Sequence, residues 1–182
     1  MDTHHRPIRL VAAGLVLALG FASCGSSPST PSATQSGGAC DTGPTKTVLI
    51  PPADQSPAGT WGTAPTVVVP SSAPPTQLEC ADLIYGTGAS ARDGSNVSVQ
   101  YVLGTYSTHQ TIQSSWTSQP FQFTLGQGQV IPGWDLGVVG MKVGGRRELI
   151  IPPSLGYKDV AQGGGIAAND TLVFVIDLLS SS

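Results

Sequence analysis

Charge is the scarcest commodity in this 182-residue chain: Asp, Glu, Lys and Arg make up only 10% of it, against about 25% in an ordinary soluble protein. Eight Lys and Arg, no basic run and a formal net charge of −3 leave no electrostatic footprint for nucleic acid. The pair Arg146-Arg147 reads as a solvated strand end rather than a phosphate grip. Histidine is nearly missing as well. His4 and His5 sit at the very start, so His109 alone is left in the body of the chain, too little for a histidine triad or a histidine metal centre. Cysteine is limited to Cys24, Cys40 and Cys80, which cannot fill a tetrahedral zinc shell without nearby histidine. Gly163 to Gly165 lacks the Lys-Ser/Thr ending of a phosphate-binding loop. No metal and no cofactor are expected.

Long apolar runs are scarce too. Leu10 to Ala22 is uncharged and largely apolar, shorter than the roughly 20 residues that span a bilayer. Preceded by Arg6 and Arg9, it suits a secretory signal. It runs into Phe21-Ala-Ser-Cys24, which resembles the bacterial lipobox, where cleavage precedes a cysteine that is then lipid-modified. An ordinary cleaved signal beside a stray cysteine is the alternative. The first reading makes residues 1–23 a lipoprotein signal peptide and Cys24 a lipid anchor, with the protein exported and held to the outward side of the cell membrane. Each buried CH₂ of such an anchor contributes about 0.8 kcal/mol. In an oxidising compartment the remaining Cys40 and Cys80 most simply form one disulfide; two separate thiols are the alternative.

Residues 24–45, rich in Ser, Thr, Pro and Gly, cannot bury enough surface to offset ordering entropy and read as a flexible tether. From 46 to 76, short apolar runs alternate with prolines, which predicts extended segments laid against a domain. That domain, residues 77–182, is strand-rich. Leu78 to Tyr85, Asn96 to Leu103, Phe121 to Thr124, Arg146 to Ile151 and Thr171 to Leu179 carry strand patterns, the last apolar enough to be central. Pro132 to Gly140 offers a short helix, with Pro in the first turn and Trp134, Val138 and Met141 on one face. The expected fold is α+β: several antiparallel strands wrapped on one short helix.

Phe121-Gln-Phe-Thr-Leu-Gly126 and Val130-Ile-Pro-Gly-Trp-Asp-Leu-Gly137 hold no basic residue, histidine or cysteine. They are the makings of an apolar pocket that encloses its ligand rather than attacking it. Together with Val97-Ser-Val-Gln-Tyr101, Met141-Lys-Val-Gly144, Ile151-Pro-Pro-Ser-Leu-Gly-Tyr157 and Thr171-Leu-Val-Phe174, they resemble the FKBP-type peptidyl-prolyl cis-trans isomerases over about residues 78 to 180. The resemblance implies a curled five- to six-stranded antiparallel sheet wrapped around the short helix, and between them a proline pocket with Trp134 as floor and Tyr101, Phe121, Val130, Ile131 and Phe174 as walls. It implies hydrogen bonds to a ligand carbonyl from Tyr157 and from the Ile131 backbone N–H. Ile166 matches a wall residue in the loop before the last strand, and Ile112 takes a place that is aromatic in many members. Gln113 stands where active members usually carry Asp, and Gly163 to Ala168 replaces a bulkier loop. The implied partners are proline-containing polypeptides and tacrolimus-like macrolides. The implied function is X-Pro isomerisation in the folding of exported proteins; a catalytically weak proline-peptide binder or chaperone is the alternative.

Overall fold

A computed structural model of the chain describes residues 48–182. The expected signal peptide and tether, with Cys24 and Cys40, lie outside the described residues. The elements run β1 (Val48–Leu49), β2 (Glu79–Ile84), β3 (Asn96–Thr105), β4 (Gln110–Ser114), β5 (Phe121–Thr124), α1 (Pro132–Gly137), β6 (Arg146–Ile151) and β7 (Leu172–Ser181). They form one sheet in the order β1-β2-β6-β7-β3-β4, with β5 also pairing β3. All pairings are antiparallel except the two-residue β1–β2 contact. β7 is central, as its composition requires, because a strand covered on both faces has no polar side to show.

Alternation sorts the side chains of β6 and β7 between two faces. Leu149 and Ile151 of β6 and Leu172, Phe174 and Ile176 of β7 join the main core with Val97, Val99 and Leu103 of β3. Helix α1 lies on this inner face, and two of its own glycines set how close it comes. An added Cβ at Gly133 would stand 2.5 Å from Ile151 Cγ2, and one at Gly137 would stand 2.6 Å from Leu149 Cδ1. Glycine costs about 1 kcal/mol in a helix interior, and here that cost is offset by direct contact between helix backbone and strand side chains. The helix ends at Gly137, sooner than the sequence suggests. Met141 is buried but lies beyond it, after Gly140 turns the chain at a φ of 79°.

The outer face is covered too. Residues 50–75 lie across it as a strap, and Val48–Leu49, just before the strap, pairs with β2. Ile50 of the strap is buried with Ala81, Ile150 and Val173, and Val67 and Val69 pack against the same cluster. The rest of this interface is polar. Arg146 is fully buried and grips Asp177 in a fork, Nε to Oδ1 at 2.5 Å and Nη2 to Oδ2 at 2.8 Å. Its remaining N–H groups donate to the strap carbonyls of Ala58 at 2.8 Å and Thr63 at 2.7 Å. Glu148, also fully buried, accepts from the Ser56 backbone N–H at 2.8 Å and the Ser56 hydroxyl at 2.5 Å. Ser56 Oγ in turn accepts from Val68 N–H at 2.9 Å.

The two arginines are therefore not a solvated strand end. Consecutive strand residues point to opposite faces, and a carboxylate waits on each. Arg147 turns inward, pairs with Asp82 through Nε at 2.6 Å, and donates from Nη1 to the carbonyls of Gly137 at 2.8 Å and Val139 at 3.1 Å. It thereby satisfies carbonyls that the end of α1 leaves without partners. Cys80, in β2, is buried and disulfide-bonded.

Glu148 gives the strap a pH signature. Burial pushes its carboxyl up from 4.5 to about 7, against the opposing pull of the two Ser56 hydrogen bonds. Between those values the folded protein holds a proton that the unfolded chain has released. Stability therefore falls as pH rises from about 4.5 to 7 and levels off above. The whole change is roughly 3 kcal/mol. Glu79 is also raised, by burial and by Asp54, so the difference between wild type and Glu148→Gln in urea unfolding isolates the Glu148 share. Equal slopes in the two proteins would exclude this assignment.

Candidate functional site

A cavity of about 470 Å³ opens where α1, β3, β5 and β7 converge. Trp134 comes from α1, whose first turn is fixed by Pro132, the proline φ being already helical. Asp135 ties this turn to the preceding loop by accepting from Gly126 N–H at 2.8 Å and Gly128 N–H at 3.0 Å. Both glycines have positive φ, 77° and 64°, so the loop needs residues without a Cβ penalty there. Tyr101 projects from β3, Phe121 from β5 and Phe174 from β7.

Tyr101, Phe121 and Phe174 meet the tryptophan edge to face, and Phe123 lies tilted against it. Trp134 lies 5.3 Å from Tyr101, 5.9 Å from Phe121, 5.6 Å from Phe123 and 5.1 Å from Phe174 by ring centroids. Edge-to-face pairs at such spacing are worth about 0.5–1.5 kcal/mol each beyond buried area. They brace the indole from several sides and leave it 4% exposed. Phe123, not expected as a site residue, lies buried against Trp134, while Phe121 stays 41% exposed at the cavity mouth.

Of the residues expected in the pocket, Tyr101, Gln113, Phe121, Val130, Ile131, Trp134, Tyr157 and Phe174 line the cavity. Ile112 and Ile166 are outside that lining and pack, partly buried, against the edge of the main core. The loop carrying Ile166 is a tight turn. Gly163, Gly164 and Gly165 all have positive φ, and Ile166 N–H donates to Gly163 O at 3.1 Å. An added Cβ at Gly165 would come within 3.0 Å of Ile112 Cγ2, so the loop rests directly on Ile112. Gln129 and Pro132, which nothing in the sequence pattern singles out as site residues, also line the cavity.

Among the described residues no charged side chain lines the cavity. Burial raises the Tyr101 phenol above its ordinary value, with neighbouring Tyr157 adding to the effect. The Trp134 indole N–H is buried without a hydrogen-bond partner among the described residues. Among the described residues no group of three or more His, Cys, Asp or Glu could hold a metal ion. The site has apolar walls and hydrogen-bond donors, and no strong base or nucleophile. It can desolvate a ligand and orient its carbonyls.

Comparison with known proteins points one way. Residues 88–179 match the family model described as FKBP-type peptidyl-prolyl cis-trans isomerase. An FK506-binding protein of Streptomyces anulatus is 52% identical over 118 residues, covering 64% of this chain and 95% of the relative. A probable FK506-binding protein of Corynebacterium glutamicum is 42% identical over 118 residues, covering 64% of this chain and 98% of the relative. The crystal structure of AtFKBP13 superposes with a TM-score of 0.53 at 34% identity, covering 59% of this chain and 95% of that one.

Proposed function

The chain belongs to the FKBP-type peptidyl-prolyl cis-trans isomerases, and we propose that it assists the folding of exported proteins by twisting X-Pro bonds within the Trp134 pocket. The carrying observation is an aromatic cavity around Trp134 that has no charged side chain in its lining. An X-Pro bond is balanced between cis and trans to within about 0.5–1 kcal/mol, yet exchanges over tens to hundreds of seconds. The barrier, about 18–20 kcal/mol, is the amide resonance lost on twisting. A twisted amide is less polar than a planar one, so a dry apolar site binds it better than the ground state.

In this scheme the proline ring rests on Trp134 between Tyr101, Phe121 and Phe174. The backbone N–H of Ile131 and the hydroxyl of Tyr157 donate to substrate carbonyls and fix one side of the bond while the other rotates. Val130 closes the wall beside Ile131, and Gln113 stands at the rim. No proton is transferred at any step. Tacrolimus-like macrolides would occupy the same pocket, a reading supported by the FK506-binding relatives. The first two dozen residues support export and lipid attachment at Cys24.

The test is isomerisation of an X-Pro peptide by the chain beginning at Cys24. Turnover indistinguishable from the uncatalysed rate would remove the catalytic reading. Tyr157→Phe should lower kcat/KM about 2- to 10-fold, the worth of one hydrogen bond, with little effect on stability. An unchanged kcat/KM would take Tyr157 out of the scheme. Binding without turnover is the second reading, favoured by the exposed, uncharged Gln113 at the rim. It predicts calorimetric binding of a proline peptide that is not turned over.

A further inference from the structure

Beside the proline pocket lies a second cavity, of about 390 Å³, and Gln129 lines both. Asn96 and Ser98 of β3, Gln122 and Thr124 of β5, and Ser180 of β7 form its polar surface. The register explains why these side chains meet. Asn96 pairs with Thr124, and Ser98 pairs with Gln122 on one side and Ser180 on the other, so all project from the outer face of the sheet. Elsewhere this face is closed by the strap, whose Val67 and Val69 reach Gly104 near the far end of β3. Among the described residues no such segment covers the Asn96 end, and no charged side chain lines the cleft.

Gln129 is oriented, not merely present. Its Oε1 accepts from Thr124 N–H at 2.9 Å. A backbone N–H can only donate, so the amide cannot be flipped. Its NH₂ group is left as a donor on the ridge between the two cavities. We propose that the polypeptide on one side of the target proline crosses this ridge and lies in the polar cleft. There Gln129 would donate to a substrate backbone carbonyl. The hydroxyls and amides of Ser98, Gln122 and Ser180 would meet uncharged polar side chains and peptide groups. The proposal rests on the proline-pocket reading and adds a subsite that selects longer, polar-flanked substrates over short ones.

The experiment compares an acetylated tetrapeptide containing X-Pro with the same peptide lengthened by four Ser, Asn or Gly residues, at the N-terminal or the C-terminal side. With the full chain in detergent, both kcat/KM and calorimetric Kd are recorded. One of the two extensions should improve kcat/KM or Kd about 10-fold, and the gain should persist in 0.5 M salt because no ion pair contributes to it. Ser180→Trp, a change at an exposed position that fills the cleft, should abolish the gain and leave the tetrapeptide values unchanged. Gln122→Ala should reduce the gain without affecting the fold, which guards against misfolding of the bulkier variant. Equal values for short and long peptides, or a gain surviving in both variants, would overturn the subsite. If the tetrapeptide is bound but not turned over, the isomerase reading fails while the Kd comparison still decides the cleft.

Discussion

Arg146→Ala should lower the unfolding free energy by about 3–5 kcal/mol, the range seen when one partner of a buried ion pair is removed. Truncation leaves Asp177 buried without its counter-ion and leaves the strap carbonyls of Ala58 and Thr63 without their donor. The loss far exceeds the 0–1 kcal/mol of an ordinary surface pair because neither side chain touches water. Urea unfolding followed by circular dichroism measures it. The double variant Arg146→Met with Asp177→Leu should recover much of the loss, since apolar replacement removes both buried charges together. A single variant within 1 kcal/mol of wild type would mean that the strap is not clamped by this pair.

The second large effect concerns the pocket floor. Trp134→Ala removes a side chain braced by Tyr101, Phe121, Phe123 and Phe174, and the cavity left behind should cost about 3–5 kcal/mol. Turnover should fall to the uncatalysed rate. Trp134→Leu separates the two consequences by keeping apolar volume under the neighbouring rings. It should fold, yet lose at least about 10-fold in kcat/KM, equivalent to about 1.4 kcal/mol of transition-state binding. Normal turnover by the leucine variant would show that the indole is core rather than floor.

Much of this architecture is legible in the sequence, and the illegible parts share a cause. β5 and β6 fall at the expected residues because Phe121-Gln-Phe-Thr124 alternates strictly and Arg146 to Ile151 ends in a dense apolar run. β4 was not expected at all. Gln110-Thr-Ile-Gln-Ser114 has one apolar residue, and its strand state is imposed by pairing with β3. Arg146 and Arg147 look like surface residues because a sequence does not reveal that Asp177 and Asp82 will face them. The aromatic walls were visible as a family pattern. Gln129 was not, since its role depends on a hydrogen bond to Thr124 and on a cleft built from three separated strands. Composition marks what is buried in oil; it is weaker at marking what is buried by partnership.

The strap also sets a schedule. Ser56 and Glu148 are 92 residues apart, and Ala58 and Arg146 are 88 apart. A chain made from its N-terminus onward, at about 5–20 residues per second, therefore delivers the strap seconds before the strands that receive it. Until Asp177 arrives, Arg146 has no counter-ion and the strap has no finished surface to close upon. Contacts of such long range are slow to form, because loop-closure entropy is lost before they give anything in return. The strap is thus first out and last in place. A prolyl isomerase built this way has a late, non-local step of its own to complete before its fold is finished.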